Sequence, residues 1–332
     1  MRPSLPTALA LLSAAASNVT GQCMWTEFNA PAYAPGFKGI VYDTALSRVV
    51  RVAAVNAQLI VWGWDGAAWS LISTQSDPGN TGASIAFDSG RNRLVLFGGP
   101  SMTTWEWDGA TWTQIQIPGP TTSSVYSPMV YDAARARTTM VRRASGAAAE
   151  TWTYDGSSWQ SWPTPALNIA GHRIAYDSDR QRIILLVTQH FIFTGTSAVE
   201  VWEWNGAQWS QSPDRPFETA GSLAYHSSRH RLIVTHNTAT THETWELDAA
   251  AGLWVQRTLN GPRAVSPSMS FDGSRDRAVF YDNFLGTSSP QTWEYNSAGT
   301  ITPTVITEQP KDLDALPGSH AALFVVAQSS GP

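Results

Sequence analysis

The chain has 332 residues, 42% of them hydrophobic and only 14% charged, with 16 tryptophans and a formal charge of -5. Such a chain can bury a sizeable core in one large domain or two smaller ones without help from metals or disulfides. The acidic balance, with no Lys/Arg cluster beyond Arg142-Arg143, argues against a nucleic-acid partner, and no stretch of about 20 apolar residues after the N-terminus is available to span a membrane.

Residues 1–21 read as a secretory signal. Arg2 supplies the positive start, Leu5 to Ala16 is a short apolar run, and small residues follow, so cleavage is expected after Ala16 or Gly21. The expected location is therefore secreted or extracytoplasmic, in a periplasm or at a cell surface. Cys23 is the only cysteine, which excludes an intrachain disulfide. A lipid anchor at Cys23 is not expected, because Gln22 stands where such a signal needs Gly or Ala. The sequon Asn18-Val19-Thr20 lies in or beside the leader.

From there a repeat dominates. An aromatic residue followed by Asp recurs at Asp43, Asp88, Asp132 and Asp177, with His226 in that place, and again at Asp272; the spacings are 45, 44, 45, 49 and 46. Five positions on stand Arg48, Arg93, Arg137, Arg182, Arg231 and Arg277. A Trp-x-aromatic segment follows, as in Trp105-Glu106-Trp107, and then in five copies another tryptophan: Trp69, Trp112, Trp159, Trp209 and Trp254. The second copy shows the strand logic. Ser84 to Phe87 is a short strand and Asp88 to Arg93 a polar turn. Leu94 to Phe97 is an apolar strand ended by Gly98-Gly99. Thr104 to Trp107 alternates, Asp108-Gly109 turns, and Trp112 to Ile115 is a fourth strand. Four strands in about 45 residues make one propeller blade, so the expectation is an all-β, six-bladed β-propeller of four-stranded antiparallel blades.

The run Leu94-Val95-Leu96-Phe97-Gly98-Gly99 and the downstream Trp107-Asp108-Gly109-Ala110-Thr111-Trp112 resemble the kelch-type propeller family, as in the central domain of galactose-oxidase-like proteins. The resemblance covers roughly residues 22 to 303. Only the second copy keeps the glycine pair, and such propellers serve many functions, so the resemblance implies architecture more than activity.

The ends suggest how the ring closes. The sixth copy has Trp293-Glu294-Tyr295 but Thr300 where the last tryptophan belongs, while Trp25 lies 18 residues before Asp43, as Trp159 does before Asp177. The N-terminal segment Cys23 to Phe28 is therefore expected to complete the sixth blade; the alternative donor is Ile301 to Val305. Residues 304–332 break the pattern. Ile306 to Pro310, Pro317-Gly318-Ser319 and Ala322 to Val326 resemble the opening of an immunoglobulin-like domain, but about 28 residues cannot supply its sandwich. The expected domains are a leader at 1–21, the propeller at 22–303, and a linker with an incomplete immunoglobulin-like segment at 304–332.

A reaction centre is needed once, whereas the Asp, Arg and Glu positions recur, so Asp88 is expected to cap its turn and Arg93 to bond locally or to the next blade. Glu106, Glu203, Glu246 and Glu294 share one repeated position and the same reading. Function should sit where the copies differ. Aligned from the shared arginine, the second strands end on Ala53-Ala54, Gly98-Gly99, Arg142-Arg143, Val187-Thr188, His236-Asn237 and Asp282-Asn283, and blade four adds the longest loop, with His190, Phe191 and Phe193. The expected ligand-binding set is Arg142, Arg143, His190, Phe191, Phe193, His236, Asn237 and Asp282 at one mouth of the ring.

No catalytic residue, cofactor or metal is expected. The four histidines of blade five divide between opposite faces, and His236 with His242 and Asp282 matches no ligand spacing. The leading functional reading is an exported, monomeric binding or adhesion module for a glycan or a protein surface. The alternative is a sialidase-like hydrolase using Arg142 or Arg143 with Tyr281 and Asp282, although the turn here reads Asp-Gly-x-x-Trp and not Asp-x-Gly-x-x-Trp. Oxidase chemistry of the galactose-oxidase kind needs a Tyr-Cys crosslink, for which Cys23 is badly placed.

Overall fold

Alternating half-buried strands joined by tight turns can hide their apolar faces only against one another, and that requirement sets the architecture. The structure, a computed structural model, describes residues 24–31, 36–77, 79, 82–121, 127–143, 149–167, 171–191, 196–212, 221–238, 240–248, 252–263, 267–283, 290–296, 305–306 and 327–328; for 171, 189–191, 196–198, 305–306 and 327–328 it describes the backbone alone. The expected leader, Cys23, Phe193 and most of the immunoglobulin-like segment lie outside these residues. Of the tail, Val305–Ile306 and Ala327–Gln328 are described, as an antiparallel pair.

The strands are β1 (Trp25–Asn29); in blade one β2 (Gly36–Asp43), β3 (Arg48–Val55), β4 (Gln58–Trp64) and β5 (Trp69–Ser76); in blade two β6 (Ser84–Asp88), β7 (Arg93–Gly98), β8 (Thr103–Trp107) and β9 (Trp112–Ile115); in blade three β10 (Met129–Asp132), β11 (Arg137–Arg143), β12 (Ala149–Tyr154) and β13 (Trp159–Trp162). Blade four has β14 (Gly171–Asp177), β15 (Arg182–Phe191), β16 (Thr196–Trp204) and β17 (Trp209–Ser212); blade five β18 (Ser222–His226), β19 (Arg231–Asn237), β20 (His242–Asp248) and β21 (Leu253–Thr258); blade six β22 (Pro267–Asp272), β23 (Arg277–Asp282) and β24 (Gln291–Tyr295). Each blade is a four-stranded antiparallel sheet, and blade six takes β1 as its fourth strand, in the order β1-β24-β23-β22. The first strands, β2, β6, β10, β14, β18 and β22, lie side by side in a closed circle around the axis. This is the six-bladed propeller that the repeat predicts.

The closing strand pairs Trp25 with Tyr295 and Glu27 with Trp293, and the Asn296 N–H donates to the Met24 carbonyl at 2.8 Å. Trp25 is 5% exposed and packs on Phe280 and Tyr295, with ring centroids at 5.7 and 5.0 Å. Its indole N–H crosses to blade five and donates to Thr244 Oγ1 at 2.9 Å. A strand from the far end of the chain thus removes the edge that an open sixth blade would expose.

Apolar clusters fill every seam. Val50, Leu59, Ile85 and Leu96 join blades one and two; Phe97, Met129 and Met140 join two and three; Val141, Leu185 and Val187 join three and four. Leu186, Val201, Tyr225 and Val234 join four and five; Ile233, Phe280 and Tyr295 join five and six; Trp64, Val279 and Tyr281 join six and one.

The repeated aspartate caps its turn. Asp43 Oδ1 accepts the N–H groups of Ala45 and Leu46 at 2.9 Å, and Asp88, Asp177 and Asp272 do the same in their blades. The residue before the repeated arginine is left-handed each time, at Ser47, Asn92, Ala136, Gln181, His230 and Asp276. Arg93, five residues after Asp88, bonds only locally, to the carbonyls of Arg91 and Asn92 at 3.4 and 3.0 Å. The ion-pairing arginine comes three residues after the aspartate: Arg91 with Asp88, Arg135 with Asp132 and Arg180 with Asp177, each at 2.7 Å. Arg91 then reaches Glu106 at 2.6 Å, and Glu106 also accepts the Tyr154 hydroxyl of blade three at 2.8 Å. Glu246 holds Tyr295, and Glu294 holds Trp64, in the same way. The repeated glutamate is thus a latch between blades.

Candidate binding face

The capped turns occupy one face of the ring. On the other, first strands begin, second strands end and third strands begin, and those of the eight residues singled out from sequence differences that are described, all but Phe193, lie here. Arg142 is fully buried, its Nε 3.3 Å from Glu150 Oε2. Burial pushes its pKa below the ordinary arginine value and Glu150 opposes that shift. Arg143, next along, is exposed. His236 is buried at 8% exposure with Nδ1 3.2 Å from Glu243 Oε2, and Asn237 Oδ1 lies 3.2 Å from His242 Nδ1. Asp282 ends β23 at 6% exposure, paired in register with Pro267. His190 and Phe191 lie at the end of β15, opposite Ser197 and Thr196, with their side chains outside the described residues; Phe193 is outside altogether. Three side chains of this set thus have a partner within their own blade: Arg142 in Glu150, His236 in Glu243 and Asn237 in His242.

Three carboxylates on this face escape an alignment of second-strand ends. Glu150, Glu200 and Glu243 each sit two residues before the third-strand tryptophan, on the same face of the strand. Trp152 and Trp202 donate their indole N–H to Glu150 and Glu200 at 3.0 Å, and Trp245 donates to Glu243 at 2.8 Å. Blade two keeps the geometry with Thr103 as acceptor for Trp105 at 3.0 Å. Blades one and six have Ile60 and Gln291 at this position, and Gln291 donates to Glu27 at 2.6 Å. The signal was present as Glu-x-Trp, three times over.

Electrostatics favour the charged form of Glu243. Burial alone would raise the Glu243 carboxyl, but hydrogen bonds from Trp245, His236 and Thr241 outweigh it and hold the group below its ordinary range. Glu150 retains 37% of its side-chain exposure and Glu243 14%, while Trp152, Trp202 and Trp245 are half-buried. The unit that recurs in blades three, four and five is a carboxyl acceptor fixed beside a partly accessible indole.

A different constellation occupies the seam of blades six and one. Arg51, fully buried, lies over Trp62 and Tyr281, with the guanidinium 4.4 and 4.8 Å from the ring centroids, and 5.9 Å from Phe37. Burial lowers the Arg51 pKa to about 10 and raises the Tyr281 phenol to about 12. Among the described residues no helix is long and apolar enough to cross a membrane.

No protein-family description matches the chain, and no curated protein matches it either. Solved structures do. The chain is similar to the SapL1 lectin solved in complex with α-methyl fucoside, with a TM-score of 0.52 and 13% identity over 80% of this chain and 94% of that one. AofleA from Arthrobotrys oligospora aligns with a TM-score of 0.54 and 14% identity, and its triple arginine-to-alanine mutant with 0.59 and 15%; each covers 82% of this chain and 86% of the other. XC5397 from Xanthomonas campestris, described as a gluconolactonase, aligns with a TM-score of 0.52 and 15% identity over 80% of this chain and 87% of that one. At these identities the likeness establishes the fold alone.

Proposed function

We propose that this chain is an exported glycan-binding module that uses the face carrying the Glu-Trp pairs. The observation that carries the reading is the fixed pairing of a carboxylate with a half-buried indole at Glu150-Trp152, Glu200-Trp202 and Glu243-Trp245. Sugar hydroxyls donate well to ionised carboxylates, and the C–H faces of a pyranose pack on indoles, so the pair suits a polyol better than an extended peptide. In this reading Arg143 and Asn237 contact ligand directly. Arg142 and His236, buried beneath, hold Glu150 and Glu243 in place, and His190, Phe191 and Asp282 lie on the same face. One propeller of similar fold, the SapL1 lectin, was solved with α-methyl fucoside, which supports the class of ligand without fixing it.

The chain acts as a monomer in this proposal, with a kelch-type repeat as its lineage and no nucleic-acid partner. Tyr281, the candidate nucleophile of the hydrolase reading, is fully buried with its phenol pushed up to about 12, the opposite of an activated nucleophile.

A glycan array tests the proposal. Wild-type chain should bind a restricted set of glycans, and the Glu150→Gln/Glu243→Gln variant should lose those signals while melting normally. Unchanged binding by that variant would move the site elsewhere on the ring, and release of product from an activated sialoside would replace the binding reading with the hydrolase.

A further inference from the structure

The three Glu-Trp pairs differ in what lies across the sheet from the carboxylate. In blade three the second-strand residue in register with Glu150 is Arg142, and in blade five the one in register with Glu243 is His236. These partners bring a nitrogen to 3.3 and 3.2 Å from the carboxylate, and Thr241 adds a hydrogen bond to Glu243 at 3.1 Å. In blade four Glu200 stands opposite Val187, which is fully buried and has no polar side-chain atom to offer. Among the described residues Glu200 accepts a hydrogen bond from the Trp202 indole at 3.0 Å and forms no ion pair.

Glu200 is half-buried, on the wall of blade four that faces blade three, because Trp202 on the same side of β16 packs against the cluster of Val141, Ala149 and Leu167. Arg143 ends β11 on the side of Val141 and so faces this wall, but it is exposed and makes no ion pair with Glu200. Its charge, held out in water, is screened, whereas Glu200 and Trp202 act at contact. The segments 144–148 and 192–195, which join second to third strands in these two blades, contain no charged residue. A half-buried carboxylate is costly to leave without a cation, and the donor it does have belongs to an indole whose accessible face attracts positive charge. The pair complements a protonated amine, whose N–H groups go to the carboxylate and whose charge sits against the ring.

We propose, resting on the glycan-binding reading above, that Glu200 and Trp202 select a sugar with a free amino group, a hexosamine not acylated on nitrogen. Blades three and five, whose carboxylates already hold an internal base, receive hydroxyls, and blade four receives the ammonium. N-acetylation removes the positive charge and leaves a single N–H, so the acetylated sugar loses what Glu200 recognises. A lysine side chain offers the same ammonium, but the Glu150-Trp152 and Glu243-Trp245 pairs of the adjacent blades present acceptors and ring faces that suit a pyranose better than an alkyl chain.

Calorimetric titration of the full chain at about pH 6, with the amine protonated, tests this. The probes are the methyl glycosides of glucosamine and galactosamine, their N-acetyl forms, and an N-capped lysine amide. At least one free amino sugar should bind about tenfold more tightly than its N-acetyl form. Glu200→Gln keeps an acceptor for Trp202 and should abolish that preference without weakening the N-acetyl form. Glu27→Gln removes the same charge from the outer strand of blade six and should leave the preference intact. If Glu200→Gln does not fold, titration at about pH 9 decides, since the preference should vanish as the ammonium loses its proton. Equal affinity for the free and acetylated sugars, a preference that survives Glu200→Gln or the rise in pH, or its loss in Glu27→Gln overturns the inference and leaves glycan binding standing. Lysine amide bound as tightly as the amino sugar overturns it too, as does capture of other glycans on the array with none of these sugars bound. An array with no bound glycan at all takes the glycan-binding reading down as well.

Discussion

The seam between blades one and two and the seam between blades two and three occupy equivalent places in the ring but are closed by different forces. In the second, Trp159 donates to Thr104 at 2.9 Å, Tyr154 donates to Glu106, and Arg91 stacks 5.3 Å from the Tyr154 ring centroid while ion-paired to the same glutamate. In the first, Val61 and Gly63 stand where Thr104 and Glu106 would be, and the buried indole nitrogens of Trp112 and Trp107 have no acceptor. That seam instead holds a large apolar cluster, aided by Gln75, which exchanges two hydrogen bonds with the Trp112 backbone at 2.9 and 3.1 Å. The difference teaches that the acceptor can be lost while the indole donor stays, provided hydrocarbon contact replaces the latch. Trp69 latches to Thr292 and Trp209 to Thr151, whereas the blade with Val61 spends its contact area on hydrocarbon.

The largest expected effect is on the seam that is latched but not covalently joined. Trp25→Ala removes a buried indole and its bond to Thr244 from the closing strand, and should cost about 3 to 5 kcal/mol in denaturant unfolding, with the ring opening at blade six before blade two. Retained global stability with Trp25 absent would mean that the seam of blades five and six is carried by Phe280 and Tyr295 alone.

Next comes Glu106→Ala, which strips the polar seam of the acceptor for both Tyr154 and Arg91. A loss of about 2 to 3 kcal/mol is expected, below that of a fully buried pair because Arg91 is about a third exposed and keeps Asp88. Glu106→Gln preserves an acceptor for Tyr154 and should recover about half of the loss. A measured cost no greater than that of a surface change would reduce the latch to decoration on an apolar seam.

Acid should find the seam of blades three and four. His172 is 3% exposed with Nε2 3.0 Å from the Val141 carbonyl, and burial lowers its pKa from 6.5 to about 4. The folded state therefore disfavours the proton that the unfolded chain accepts. The contribution is fully present above about pH 6.5 and is lost as pH falls towards 4, by roughly 3 kcal/mol in all. Unfolding free energies measured between these limits should decline, and His172→Gln should flatten the profile.

The smallest effect tests the comparison directly. Thr104→Val turns the polar acceptor into the hydrocarbon of the neighbouring seam and leaves the Trp159 indole unsatisfied, for a loss of about 1 kcal/mol. Val61→Thr offers Trp112 an acceptor but buries a hydroxyl among aliphatics, so the net change should be within about 1 kcal/mol of zero. A loss for Val61→Thr larger than for Thr104→Val would show the two seams to be less interchangeable than their backbones.

Much of this was legible because it is local. The aspartate caps, the alternating third strands and the orphan Trp25 all follow from spacing along a few residues or one repeat. The arginine partner was misplaced in emphasis: Arg93 recurs more regularly than Arg91, since blade one has Leu46 at the latter position, yet Arg91 forms the ion pair. The left-handed residue between them reverses the chain and sends Arg91 back over the aspartate. The Glu-x-Trp pairs were also readable, but only by aligning third strands, where Ile60 and Gln291 interrupt the pattern.

Residue spacing by itself determined six blades, four strands in each, and a ring closed by its N-terminal strand, because period-two alternation and capped turns are encoded within about ten residues of each other. Tertiary structure alone decided that Arg142 is buried while Arg143 is exposed, that Trp25 bonds to Thr244 across 219 positions, and that Leu253 and Val255 line a charged cavity. Those outcomes depend on which wall of one blade meets which wall of the next. That meeting is fixed by packing between segments far apart in the chain, which no local pattern specifies.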